Sequence, residues 1–113
     1  MDKTENKKIA AYLGFCIRAG KVTYGVDNME NLKKGVFLLI VDEALGESSF
    51  KTVRKISERF ACKLLVGKTG ALGAVLHKLT VKAVAVKDKN LAEAILSVVS
   101  GEFEFKIYSG GNN

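Results

Sequence analysis

Val36-Phe37-Leu38-Leu39-Ile40-Val41 is apolar throughout, β-branched at several positions and only strand length. Such a run predicts a central strand buried on both faces, the kind found in a sheet covered by helices above and below. Downstream, Phe50, Val53, Ile56 and Phe60 recur at helical spacing, with Lys51, Arg54, Lys55 and Arg59 between them. That pattern predicts an amphipathic helix capped by Ser48 or Ser49. A second buried strand is expected at 63–66, a short helix capped by Thr69 and running through Leu76, and a third strand at 81–86. Asp88 is placed to cap a last helix, with Leu91, Ile95, Val98 and Val99 inward and Gly101 closing it.

Upstream of the decisive strand, Ile9, Tyr12, Leu13, Cys16 and Ile17 mark a helix over 3–19, and Gly20 stands where a left-handed C-cap falls. A short extended piece at 21–24 leads to Val26, Met29 and Leu32, which mark a second helix ending at Gly35. Strand and helix alternate throughout. The expected fold is therefore α/β: a single-domain, three-layer α/β/α sandwich with a mainly parallel, mixed four-stranded sheet and right-handed crossovers. Residues 102–108 alternate charged and apolar side chains, which adds a possible C-terminal edge strand or a contact for a partner. The domain is expected to span 1–108, with 109–113 a frayed tail.

The 113 residues suit one domain with a continuous core, and 48% apolar with 27% charged residues is the balance of a globular chain. Eighteen Lys and Arg oppose twelve Asp and Glu, a net charge of +6 that biases the surface toward anionic partners such as nucleic acid. Cys16 and Cys62 stand far apart within apolar patterns and read as small hydrophobes rather than a zinc or redox pair. With no signal peptide and no apolar run of membrane-spanning length, the reading is a cytoplasmic chain with no membrane partner.

Val66-Gly67-Lys68-Thr69 invites comparison with a phosphate-binding P-loop, but the full motif needs a glycine where Cys62 stands. The simpler reading is a tight turn in which Lys68 and the amides of the following helix bind one phosphate group. Asp42, Glu43 and Lys87 end strands as in phosphotransfer receiver domains, but Gly67 occupies the phosphoacceptor position. His77, the lone histidine, has no nucleophile elbow near it, and no cluster of His, Cys, Asp and Glu suggests a metal. Neither catalytic residues nor a cofactor nor a small-molecule substrate is expected.

The stronger case is for nucleic acid. Arg18 to Gly25 joins two helices and presents Lys21 beside a helix start carrying Gly25, Asp27, Asn28 and Asn31, whose side chains can meet base edges. Lys34, at the expected end of that helix, and Lys68 are further candidate RNA contacts. In the run 77–82, Leu79 and Val81 are apolar residues set among cations, suited to pack on an unstacked base while Lys78 and Lys82 neutralise phosphate.

Leu13-Gly14-Phe15-Cys16-Ile17-Arg18-Ala19-Gly20-Lys21 with Gly25, Asp42-Glu43-Ala44, Val66-Gly67-Lys68 leading to Leu72-Gly73, and Val84-Ala85-Val86-Lys87-Asp88 together resemble the kink-turn RNA-binding ribosomal protein family of L-seven-Ae and L-thirty-e. The resemblance spans about residues 7–99 and looks closest to the short bacterial YlxQ-type branch. It implies an α/β/α sandwich whose RNA surface combines the start of the second helix with the loop before the last family strand. Gly25 is kept, but Asp27 stands for the family's asparagine, Asn28 for its glutamate and Asn31 for its lysine. An aspartate donates no amide hydrogen bond and repels phosphate. The resemblance thus implies a non-enzymatic, ribosome-associated protein docking on structured RNA, with ribosomal RNA the expected partner, rather than high-affinity kink-turn recognition. The rival reading is a protein-interaction module of the same fold that pairs through Phe103, Phe105 and Ile107.

Overall fold

The computed structural model describes residues 4–109. Its elements follow in the order α1 (Thr4–Arg18), β1 (Val22–Tyr24), α2 (Val26–Glu30), β2 (Leu38–Asp42), α3 (Glu47–Phe60), β3 (Lys63–Gly67), α4 (Ala71–Leu76), β4 (Ala83–Val86), α5 (Lys89–Val98) and β5 (Phe105–Ile107). The strands form one sheet in the order β1-β4-β2-β3-β5. Period-two alternation divides their side chains between two layers. Leu38, Ile40, Leu65, Val84 and Val86 face α1, α4 and α5, while Leu39, Val41, Leu64, Ala83 and Ala85 face α2 and α3. The architecture is an α/β/α sandwich.

The decisive strand is buried along its whole length, as its composition predicts. The expected mainly parallel sheet narrows to one parallel pair, β2 with β3, joined by the crossover through α3. β1 with β4, β4 with β2, and β5 with β3 are antiparallel. The length of α4 explains the difference. Six residues rise about 9 Å, while the five residues of β3 cover about 16 Å, so α4 does not carry the chain back along the strand. It re-enters the sheet at the end it left, with Ala83 opposite Val41. The sheet has five strands: the expected four, with β1 among them, and the expected C-terminal edge strand β5.

Caps follow the sequence unevenly. Gly20 ends α1 at φ +70°, and the amides of Gly20 and Lys21 bond back to the carbonyls of Ile17 and Cys16, a Schellman closure. Asp88 caps α5 by accepting from the Leu91 amide at 2.8 Å. Ser48 and Ser49 lie inside α3, whose N-cap is Gly46, and Thr69 lies ahead of Gly70, the N-cap of α4. The expected frayed tail at 109–113 falls outside the described residues except for Ser109, as does Lys3 at the expected start of α1.

Candidate nucleic-acid interface

β4 enters the sheet between β1 and β2, so whatever precedes it stands beside the end of β1 and the end of β2. The Gly25 amide donates to the Ala83 carbonyl at 2.9 Å, and the Asp42 amide donates to the Lys82 carbonyl at 2.9 Å. These bonds bring the start of α2 and the run 77–82 to one end of the sheet. That end is the candidate surface.

The run 77–82 is braced. Lys78 donates its amide to Gly73 at 2.9 Å, and Val81 donates to Lys78 at 3.0 Å, closing a tight turn with Leu79 and Thr80 at its tip. Gly73 makes room for it, since a Cβ there would lie 3.0 Å from Leu79 Cα and 3.1 Å from the Lys78 carbonyl oxygen. Leu79 is 80% exposed on this support. Lys82 is also exposed. The Lys78 ammonium stands 5.7 Å from the centre of the Tyr24 ring, a cation–π contact that holds the lysine over the end of β1. Sequence alone does not single out Tyr24; its one signal is its place just before Gly25 at the end of a short extended piece.

Val81 does not join the exposed tip. It is half-buried against the α1-side core, which leaves Leu79 as the apolar tip of this loop. Gly25 adopts φ 85° and ψ 144°, close to a region used almost only by glycine, and turns β1 directly into α2. Asp27 and Asn28 are exposed there, with the Asn28 amide donating to the Tyr24 carbonyl at 2.9 Å. The Asn28 side-chain oxygen is the group left to face a ligand.

α2 is shorter than expected. It stops at Glu30 rather than Gly35, and Asn31 is its C-cap, about 9 Å along the axis from Gly25. Arg59 donates to the carbonyls of Glu30 and Leu32 at 3.3 and 3.0 Å, bonds that replace a further helical turn in fixing this segment. A helix of five residues carries little dipole, so the start of α2 serves as a scaffold for side chains more than as an anion trap.

Lys21 and Lys34 do not reach this surface. The Lys21 carbonyl accepts from the Lys87 amide at 2.8 Å, beyond the far end of β4, so the length of β1 separates Lys21 from Gly25. Lys34 lies in the segment returning to that far end, where Phe37 bonds to Val86.

Lys68 does share the near end, but its loop is not a phosphate cradle. Thr69 donates its amide and hydroxyl to Glu43 Oε2 at 2.9 and 3.1 Å, and Gly70 donates to Asp42 Oδ2 at 2.8 Å. The Lys68 amide itself donates to the Glu104 carbonyl at 2.9 Å. Asp42 is 2% exposed and also accepts from Ala44 at 2.7 Å. Two carboxylates and a carbonyl of the chain itself thus occupy the donors that a phosphate in a P-loop-like turn would need. Lys68 remains a surface cation two strand spacings, about 10 Å, from Lys82.

Among the described residues, no three His, Cys, Asp or Glu side chains stand together as a metal site, and no helix is long and apolar enough to cross a membrane. Cys16 is fully buried, and burial, aided by the Asp88 carboxylate, pushes its thiol up to about 11. Burial raises Cys62 as well.

No family model matches the chain, and no curated protein does. Among solved structures it is similar to a protein with unknown function from Bacillus halodurans C, with 22% identity and a TM-score of 0.66 over 81% of this chain and 96% of that one. That likeness concerns the fold alone.

Proposed function

We propose that this chain is a non-enzymatic, cytoplasmic RNA-binding protein that docks on structured RNA, with ribosomal RNA the expected target. The observation that carries the reading is Leu79, 80% exposed on a loop braced by Gly73 and flanked by Lys78 and Lys82. At 80% exposure the Leu79 side chain adds little to the core. Packing against an unstacked base accounts for that exposure, with the neighbouring lysines neutralising phosphates. Gly25 and the side chains of Asp27 and Asn28 stand beside this tip. With the Gly25 and Asn28 amides bonded to the Ala83 and Tyr24 carbonyls, they present acceptors, the Asp27 carboxylate and the Asn28 side-chain oxygen, suited to base edges that present donors. Asp27 also opposes nearby phosphate, which favours general docking on folded RNA over tight kink-turn recognition.

Titration of a kink-turn RNA and of a ribosomal RNA stem-loop at several salt concentrations tests this. The expected result is binding that weakens steeply with salt and is reduced by Leu79→Ala and by Lys82→Gln. Absence of binding at low salt, or insensitivity to both substitutions, would sink the reading.

A second reading has its own observation. Ile107 is 43% exposed on β5, and an open groove of about 520 Å³ beside it is lined by Leu45, Phe50, Val66 and Tyr108. This favours a protein-interaction module that pairs along β5. Phe105 takes no part, since it is fully buried against Gly67. Concentration-dependent association abolished by Ile107→Lys would distinguish it.

A further inference from the structure

The far end of the sheet, where β4 leaves, carries a surface of its own. Lys21 and Lys87 are joined by a backbone bond of 2.8 Å, Phe37 donates its amide to Val86 at 3.0 Å, and Lys63 pairs with Leu38. Lys21, Lys87 and Phe37 therefore stand side by side just beyond the ends of β1, β4 and β2, about 4.8 Å from one chain segment to the next, with Lys63 one residue out of step at the start of β3. Phe37 is 38% exposed in the middle of this cationic row. The decisive apolar run thus has one member, Phe37, that the sheet does not bury.

Phe37 also opens onto a groove of about 250 Å³ between the end of α3 and the start of α5, with Phe60, Cys62, Lys63, Lys89 and Glu93 among its walls. The Arg59 guanidinium stands 4.8 Å from the centre of the Phe60 ring. Glu93 is the acidic wall residue, and nearby Asp88 is committed to capping α5. The groove is smaller than the usual enclosed site for a drug-sized ligand. Its chemistry is an aromatic face bordered by Lys63 and Lys89 and by one carboxylate, Glu93.

We infer that this end is a second nucleic-acid contact, at which an unstacked base of a single-stranded RNA segment stacks on Phe37 while Lys21, Lys63 and Lys87 neutralise the adjoining phosphates. Stacking on single aromatic rings combined with a cationic track suffices for sequence-tolerant single-strand binding. A stable protein partner would need roughly 800 Å² of surface on each side, and one exposed phenylalanine among lysines offers little of it. The inference stands apart from the Leu79 surface, because β4 separates the two ends.

The test uses the full chain with a fluorescein-labelled ten-residue oligouridylate at low salt. Phe37→Ala is expected to weaken binding at least about fivefold, and Lys63→Gln with Lys87→Gln to flatten the salt slope by about 1.4. The chain has no tryptophan, so Phe37→Trp introduces a single reporter whose fluorescence a stacked base quenches. Amide shifts on titration are expected at Lys21, Phe37, Lys63 and Lys87. Unchanged affinity in Phe37→Ala, an unquenched Phe37→Trp, or amide shifts confined to 25–28 and 78–82 would each overturn the inference. So would a dimer in the unmodified chain that Phe37→Ala dissolves. Failure of the Leu79 reading shows separately, as loss of structured-RNA binding with the oligouridylate response intact.

Discussion

Gly73 and Leu79 fit together as support and tip: the missing side chain of the glycine is the space in which the leucine's backbone rests, with a Cβ at Gly73 lying 3.0 Å from Leu79 Cα. The two residues separate folding from recognition. Gly73→Ala pushes backbone against backbone and is expected to destabilise the fold by about 1–3 kcal/mol. Leu79→Ala, at an 80% exposed position, is expected to change stability by less than about 0.5 kcal/mol. Both should weaken RNA binding. Urea denaturation alongside RNA titration checks the contrast, and equal losses of stability would show that Leu79 is a folding residue.

Tyr24 offers a substitution expected to help. Among the described residues its buried hydroxyl has no hydrogen-bond partner, while its ring lies beneath the Lys78 ammonium. Removing an unpaired buried hydroxyl relieves a cost of about 1 kcal/mol or more. Tyr24→Phe should therefore hold or raise the melting temperature, by about 4 °C at that value, and leave the cation–π contact in place. A lower melting temperature would mean that the hydroxyl is satisfied.

Asp42 joins three loops through the amides of Ala44 and Gly70 and through its own bond to Lys82. Asp42→Ala strips two partly buried amides of their acceptor, each costing about 1–3 kcal/mol. The urea midpoint is expected to fall by far more than in Glu43→Ala, whose partner Thr69 is exposed to water. Similar midpoints for the two variants would remove Asp42 from this role.

These residues show what the sequence can and cannot convey. The buried strand at β2, the stripe of α3 and the Asp88 cap were legible because periodicity and capping chemistry are local. The direction of β4 was not, because it depends on how far a six-residue helix carries the chain. Asp42 and Glu43 read equally well as an acidic pocket or a turn, and only their distance from Thr69 and Gly70 decides. Lys21 and Gly25 are near neighbours in the chain, yet an extended β1 places them at opposite ends of the sheet. Leu79 was legible as a candidate, but its exposure depends on a glycine six residues away.

Gly67 ties the last strand to the sheet. A Cβ there would lie 2.7 Å from Phe105 Cε1, and the Phe105 ring is fully buried, so it has no room to withdraw. Gly67→Ala is expected to cost about 1–3 kcal/mol and to loosen β5 first. Hydrogen exchange should accelerate at Tyr108, whose amide bonds to Leu64, and at Lys68, whose amide bonds to Glu104. Faster exchange at β2 but not at these two amides would contradict the assignment.

Cys16 sets an alkaline limit. Its thiol lies in the α1-side core, where burial, with a contribution from the Asp88 carboxylate, pushes its pKa from 9.0 to about 11. The folded state therefore holds this proton more tightly than the unfolded chain, so the group's contribution is fully present below pH 9. As pH rises from 9 to about 11 the unfolded chain loses its proton first, and stability must fall across that window. Lysines and tyrosines titrate in the same range, so the informative quantity is the difference between the unmodified chain and Cys16→Ala. The variant should be less stable at neutral pH because a buried sulfur is lost, and the gap should narrow between pH 9 and 11. The thiol of the native protein should also resist alkylation at pH 8 until the chain is denatured. A gap that stays constant with pH, or rapid alkylation without denaturant, would show that Cys16 is in contact with water.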